Sequence, residues 1–170
     1  PPARFPGKIR LPFCPESVLS GVGQHFAEGS ALWYRRTVTL PDDWAGAQLA
    51  LHIGAADQVL DAWVNGMAVG SHTGGYEAMT FGVTGAWRPG TNEILLRVRD
   101  DLRSTVLPYG KQVQQRGGMW YTPVSGVWQT VWLEPLPPHA LPGLTVTADD
   151  SRAILDTGDA TQQGTVTVHT

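Results

Sequence analysis

Apolar and polar residues alternate along much of the chain, and that period of two leaves few folds open. "LWYRRTVTL" (32–40) sets Leu32, Tyr34, Val38 and Leu40 on one face. "QLALHI" (48–53) sets Leu49, Leu51 and Ile53 on one face and Gln48, Ala50 and His52 on the other. "EILLRVR" (93–99) repeats the pattern with Ile94, Leu96 and Val98. Successive side chains of a strand point to opposite faces, so each run fits a half-buried strand. Breakers separate the runs at Pro41-Asp42-Asp43, Gly54, Gly74-Gly75, Pro89-Gly90 and Pro108. In "VLDAWVNGMAVGSH" the Asn65-Gly66 pair stands between two apolar runs. That predicts a type I′ hairpin, whose two turn residues both need positive φ. No stretch keeps a helical period for three turns. The expectation is an all-β sandwich, a jelly roll or a similar fold.

Charge removes some function classes. The formal net charge over 170 residues is −3, and the cations are few and scattered. Nucleic acid is therefore not an expected partner, because its binding rests on phosphate neutralisation. No apolar run approaches the ~20 residues of a membrane helix, so no membrane partner is expected. The opening "PPARFPGKIRLPF" reads like the middle of something longer and gives no compartment. The single Cys14 fits a reducing compartment, which favours the cytoplasm, and reads as a half-buried small side chain before Pro15. The five histidines are dispersed, and no cofactor or metal spacing appears. Asp42-Asp43, Asp100-Asp101 and Asp149-Asp150 read as turn caps. After Glu134 the composition changes: "PLPPHALPG" (135–143) is a stiff proline-rich linker. "LTVTA", "AILD" and "GTVTVHT" beyond it read as the first strands of a second β domain, 144–170.

The densest aromatic stretch is "RGGMWYTPVSGVWQTVWLEP" (116–135). By strand parity Trp128, Thr130 and Trp132 share one face, and Val127, Gln129, Val131 and Leu133 the other. The aliphatic face is assigned to the core, so the two tryptophans cover a second surface as packing rings. Trp120 and Tyr121 lie between Gly117-Gly118 and Pro123, in a loop, where recognition residues collect. They are candidate substrate-binding residues, since sugars present flat C–H faces to rings. His72, Tyr76 and Glu77 of "HTGGYE" form a second candidate group. There the blander reading is that Gly74-Gly75 turns the chain into its next strand. No catalytic residue is assigned. Glu93 of "TNEI" follows Pro89-Gly90 and precedes a strand, and reads as a surface residue at strand entry.

The order of the pieces is itself a pattern. "LPFCPESVLSG", "LWYRRTVTLPDDW", the run VNG-x-x-V-G-x-H-x-G-G-Y (64–76), "PGTNEILLRVRD", "GKQ" and S-G-V-W-Q-T-V-W-L-E (125–134) follow one another. Over about residues 9 to 135 this resembles the N-terminal sugar-binding domain of glycoside hydrolase family two, which contains β-galactosidases, β-glucuronidases and β-mannosidases. The resemblance implies a galactose-binding-like jelly roll over 1–134, an immunoglobulin-like domain beginning at 144, and then a (β/α)8 barrel. It implies an opening strand upstream of Pro1. It also implies a non-catalytic domain in a retaining O-glycosidase whose two glutamates belong to the barrel. Carbohydrate would be met through the parent enzyme, with a loop of this domain reaching the sugar site. The β-galactosidases carry an asparagine and an aspartate that contact substrate or ions. The nearest positions here are Gly29 and Gly118, which argues against lactose-type activity. The alternatives are a free-standing carbohydrate-binding module and a purely structural sandwich.

Overall fold

The computed structural model describes residues 1–101, 106–137, 145–148 and 153–156. Its strands are β1 (Ala31–Thr39), β2 (Gln48–Ile53), β3 (Ala56–Asp57), β4 (Val59–Val64), β5 (Met67–Thr73), β6 (Met79–Gly82), β7 (Thr91–Arg99), β8 (Gly126–Val127), β9 (Val131–Leu136), β10 (Thr145–Ala148) and β11 (Ala153–Asp156). The chain divides into two units, Pro1–Pro135 and Leu136–Thr170. In the first, a four-stranded sheet runs β1-β7-β4-β5, a three-stranded sheet β6-β2-β9, and β3 pairs with β8. All of these pairs whose register is given are antiparallel. In the second unit β10 and β11 form one antiparallel pair, Thr145 opposite Asp156. The "GTVTVHT" stretch and most of the proline-rich linker lie outside the described residues.

Both larger sheets turn the alternating face inward, as a sandwich requires. Leu49, Leu51 and Ile53 of β2 meet Leu60, Ala62 and Val64 of β4 and Ile94, Leu96 and Val98 of β7 in one buried cluster. This is the all-β sandwich expected from the period of two. The hairpin also forms as expected: Val64 pairs with Met67, and Asn65 and Gly66 have φ of 50° and 80°. Asn65 does more than turn the chain. Its Nδ2 donates to the Ala86 carbonyl (2.8 Å) and to Asn92 Oδ1 (2.7 Å), and its Oδ1 accepts from the Glu93 amide (3.0 Å). Asn92 is fully buried and donates to the Arg88 and Gly90 carbonyls. The Asn-Glu dipeptide is thus structural, and Glu93 is exposed on β7.

One assignment by parity fails. Val127 is fully buried, and Val131 and Leu133 pack on the core, but Gln129 is exposed. The strand is not continuous, because the chain leaves its pairing with β3 and joins β2. Across the break, Trp128 N donates to the Ala55 carbonyl (3.3 Å) and Gly54 N to the Thr130 carbonyl (2.9 Å). The backbones approach so closely that a Cβ on Gly54 would come within 2.8 Å of Gln129 Cβ. Trp128 also departs from expectation. Its indole turns onto its own domain and donates from Nε1 to the Gly75 carbonyl at 2.9 Å. Trp132 does stand on an outer face, 44% exposed, stacked on His52 with ring centroids 4.8 Å apart.

The outer face of the larger sheet is covered from within. Trp33 and Trp63 stack at 5.7 Å, and the Arg97 guanidinium lies 5.7 and 5.8 Å from their ring centres. Asp61 Oδ2 accepts from Arg97 Nε (3.0 Å) and Nη2 (2.7 Å), which fixes the arginine over the rings.

Candidate functional site

The loops that carry the two candidate groups approach each other where Tyr76 reaches Gly110. The first loop joins β5 to β6 and holds Gly74, Gly75, Tyr76 and Glu77; His72 is on β5 itself. Tyr76 is 52% exposed and packs edge-on against Trp128, with centroids 6.4 Å apart. Its hydroxyl reaches Gly110, where a Cβ would sit 3.6 Å away. Gly110 opens the part of the β7–β8 connection that carries Trp120 and Tyr121.

That second loop is held by its own bonds. Tyr121 N donates to the Lys111 carbonyl (2.7 Å), Val113 N to the Tyr121 carbonyl (3.3 Å) and Trp120 N to the Gly117 carbonyl (3.2 Å). Gln112 Oε1 accepts from Val124 N at 2.5 Å, and Arg116 Nη1 donates to Thr122 Oγ1 at 2.8 Å. Two limbs are thereby laced together and the rings are left outside. Trp120 is 43% and Tyr121 67% exposed. An ordered backbone with exposed rings presents apolar surface without a large ordering cost on binding. His72 Nε2 lies 3.9 Å from Glu77 Oε2, within ion-pair reach but too far for a hydrogen bond. Gly118 and Gly29 both have positive φ, and neither supplies a side chain here.

Beneath the first loop lie acids that sequence reasoning missed. Asp57 is buried, its Oδ1 has no hydrogen-bond partner, and a Cβ on Gly75 would come within 2.6 Å of that oxygen. Burial, and then the charge of Glu16, push the Asp57 carboxyl up to about 6. Asp100, read from sequence as a turn cap, is pushed up to about 7 by burial and then by Asp57, Glu16, Asp101 and Glu28. Glu16 is anchored: Oε1 accepts from Ser125 Oγ (2.5 Å) and Oε2 from Ser125 N (3.2 Å). Beside it Gly126 has φ 75°, and a Cβ there would overlap the Tyr34 hydroxyl, which accepts from Val127 N at 3.2 Å. The S-G-V-W run is therefore a clasp between distant segments. Glu16, Glu28, Asp100, Gln114 and Ser125 help to line a cavity of about 20 Å³. That holds a water and excludes a sugar ring. Among the described residues no group of three or more His, Cys, Asp and Glu side chains is placed to hold a metal ion.

The open end thus presents exposed rings on a loop held by its own hydrogen bonds. Residues 23–137 match the family described as glycosyl hydrolases family 2, sugar binding domain. Among curated relatives, a β-glucuronidase of Paenibacillus borealis is 35% identical over 47% of this chain and 14% of its own length. A β-galactosidase of Arthrobacter sp. (strain B7) is 28% identical over 86% of this chain and 13% of its own. Among solved structures, a β-glucuronidase from Ruminococcus gnavus in complex with a C6-substituted uronic isofagomine superposes with a TM-score of 0.59. It shares 22% identity over 75% of this chain and 24% of that chain, a likeness of fold. A putative β-galactosidase from Bacteroides fragilis gives 0.58 at 25% identity, over 79% of this chain and 21% of that chain. The chain spans only about 13 to 14% of the length of these two curated relatives. It belongs to family 2 of the glycosyl hydrolases, as that family's N-terminal sugar-binding domain.

Proposed function

We propose that this domain is the non-catalytic support of a retaining O-glycosidase, and that its 110–121 loop lends Trp120 and Tyr121 to the sugar site. The observation that carries the reading is the pair of exposed rings on a loop laced by its own hydrogen bonds, beside Tyr76. Apolar rings of this kind are expensive to leave in water and suit the C–H face of a pyranose. The parent would continue through the 135–143 linker and an immunoglobulin-like domain from 144 to a barrel. That barrel would carry the two carboxyl groups, about 5–5.5 Å apart, that retention requires. Its substrate would be a β-glucuronide or β-galactoside, as the relatives' names suggest. In the intact enzyme Trp120→Ala should raise KM or lower kcat on nitrophenyl glycosides. The isolated chain should turn over none of them. Unchanged kinetics in the variant would refute the loop's role. Turnover by the isolated chain that disappears in Glu93→Gln would refute the non-catalytic one.

A second reading, a free-standing binding module, is favoured by Trp132, which lies flat on His52 and is 44% exposed. His52 is itself held at Nδ1 by Thr80 Oγ1 (2.9 Å), and its Nε2 lies 2.8 Å from Glu134 Oε2. Retardation of the isolated chain on a polysaccharide gel, lost in Trp132→Ala, would select this reading.

A further inference from the structure

Rings on a loop serve a ligand only if they stand in one place, and bonds inside the loop cannot ensure that. The backbone bonds among Lys111, Val113, Gly117, Trp120 and Tyr121 fix the loop's shape. Its tilt against the sandwich must come from residues outside it. On one limb Gln114 Nε2 donates to the Phe26 carbonyl at 3.4 Å. At the far root Ser125 is held by Glu16. At the near root, where Gly110 turns the chain with φ of 67°, the neighbour is the Tyr76 hydroxyl.

Tyr76 stands on a firm base. Gly74 N donates to the Gln58 carbonyl (2.8 Å), and the Gly75 carbonyl accepts from Trp128 Nε1 (2.9 Å). The turn cannot sink further inward, because a Cβ on Gly75 would already lie 2.6 Å from Asp57 Oδ1. The Tyr76 ring then leans edge-on against the same indole that holds Gly75. Trp128 is itself tied through its backbone amide to the Ala55 carbonyl (3.3 Å). One tryptophan thus fixes both the turn and the ring that grows from it. Tyr76 is 52% exposed, but its polar tip is turned to Gly110.

We propose that Tyr76 is a positioning residue: braced on Trp128, it props the 110–121 loop at Gly110 and sets where Trp120 and Tyr121 stand, without meeting the sugar itself. This rests on the loop's role in the sugar site proposed above. A binding side chain is only as well placed as the residues that support it, and those must be locked by their own packing. Tyr76 meets that condition through Trp128. Gly110 suits the contact, since a residue without a side chain lets the tip come close while the chain turns away. Such a prop adds no affinity of its own, yet a displacement of about 1 Å in the rings it places is enough to weaken the site.

The test is a mutant cycle in the intact enzyme, on the nitrophenyl glycoside that it turns over. Tyr76→Phe keeps the ring on Trp128 and removes only the atom that meets Gly110, while Tyr76→Ala removes the prop. They should lower kcat/KM about threefold and about tenfold, respectively. Both losses should vanish in a Trp120→Ala/Tyr121→Ala background, which has no rings left to place. Losses that persist undiminished there would mean that Tyr76 meets the sugar itself, and would overturn the proposal. Unchanged kinetics in both Tyr76 variants would overturn it too. The prop is also read without turnover, in intact enzyme carrying 5-fluorotryptophan. The Trp120 fluorine resonance, assigned through Trp120→Phe, should shift or broaden in Tyr76→Ala, while those of Trp33 and Trp63 keep their places. A Trp120 resonance that does not move refutes the prop whatever the rates. If Trp120→Ala/Tyr121→Ala alone keeps the wild-type rates, the loop's role fails and this proposal falls with it.

Discussion

Asp57→Asn should remove a pH dependence from the stability of the domain. The carboxyl is buried with one oxygen unpartnered, and its folded pKa is raised from 3.8 to about 6. A raised acid binds its proton more tightly folded than unfolded. Its stabilising contribution is therefore whole below pH 3.8 and is lost as pH rises through about 6. A shift of about two pH units corresponds to about 3 kcal/mol at pH 8. Asp100, raised to about 7 partly by Asp57, adds a loss in the same direction. Asparagine has nearly the same shape and no charge. Any constant offset it introduces cancels in a comparison between pH values. Urea melts of the wild type and Asp57→Asn, followed by tryptophan fluorescence at pH 4.5 and pH 8, are the assay. Part of the contribution is already gone at pH 4.5, so the variant's stability relative to wild type should rise by about 2 kcal/mol between the two pH values, or somewhat more, since Asp100 also loses a repelling neighbour. An unchanged relative stability would show that Asp57 ionises without cost and that the account of its burial is wrong.

Gly126→Ala should destabilise the domain by at least about 2 kcal/mol in denaturant melts, through left-handed strain and displacement of the Tyr34 hydroxyl. A loss below about 0.5 kcal/mol would mean the clasp yields without cost. Val131→Ala should cost about 1–3 kcal/mol, as a truncation against the core does, while Trp120→Ala should stay within about 0.5 kcal/mol. The reverse order in the same melts would place the core and the exposed rings on the wrong sides.

What the sequence made legible was local. Parity placed Leu49, Leu51 and Ile53, and Ile94, Leu96 and Val98, because β7 runs against β1 and β4, and β2 against β6, without a shift of register. Asn65-Gly66 was legible because its backbone conformation admits few residues. Gln129 was misplaced because parity assumes an unbroken strand, and the change of partner at Gly54 is set by a segment far off in sequence. Glu16 with Ser125, and Asp57 with Asp100, were invisible for the same reason. An acid beside a turn has the same local signature whether tertiary packing exposes it or buries it. Trp120 and Tyr121 could be placed in a loop from their glycines and proline. That Tyr76 would reach the same loop at Gly110 had no sequence signal.

The order in which strands pair has a consequence for synthesis on the ribosome. All four strands of the larger sheet have been made once Arg99 is added, so that sheet can assemble early. β2 can pair with β6 early, but its other edge must wait for β9, and β3 for β8, both within residues 126–136. Until then the nascent chain lacks Val127, Val131 and Leu133 from its interior, and Glu16 has no Ser125 to hold. A domain that begins early and closes last exposes apolar surface during translation, when aggregation competes with folding. The clasp at Ser125-Gly126, with β9 just after it, therefore marks the point in elongation at which the domain can first become a closed folding unit.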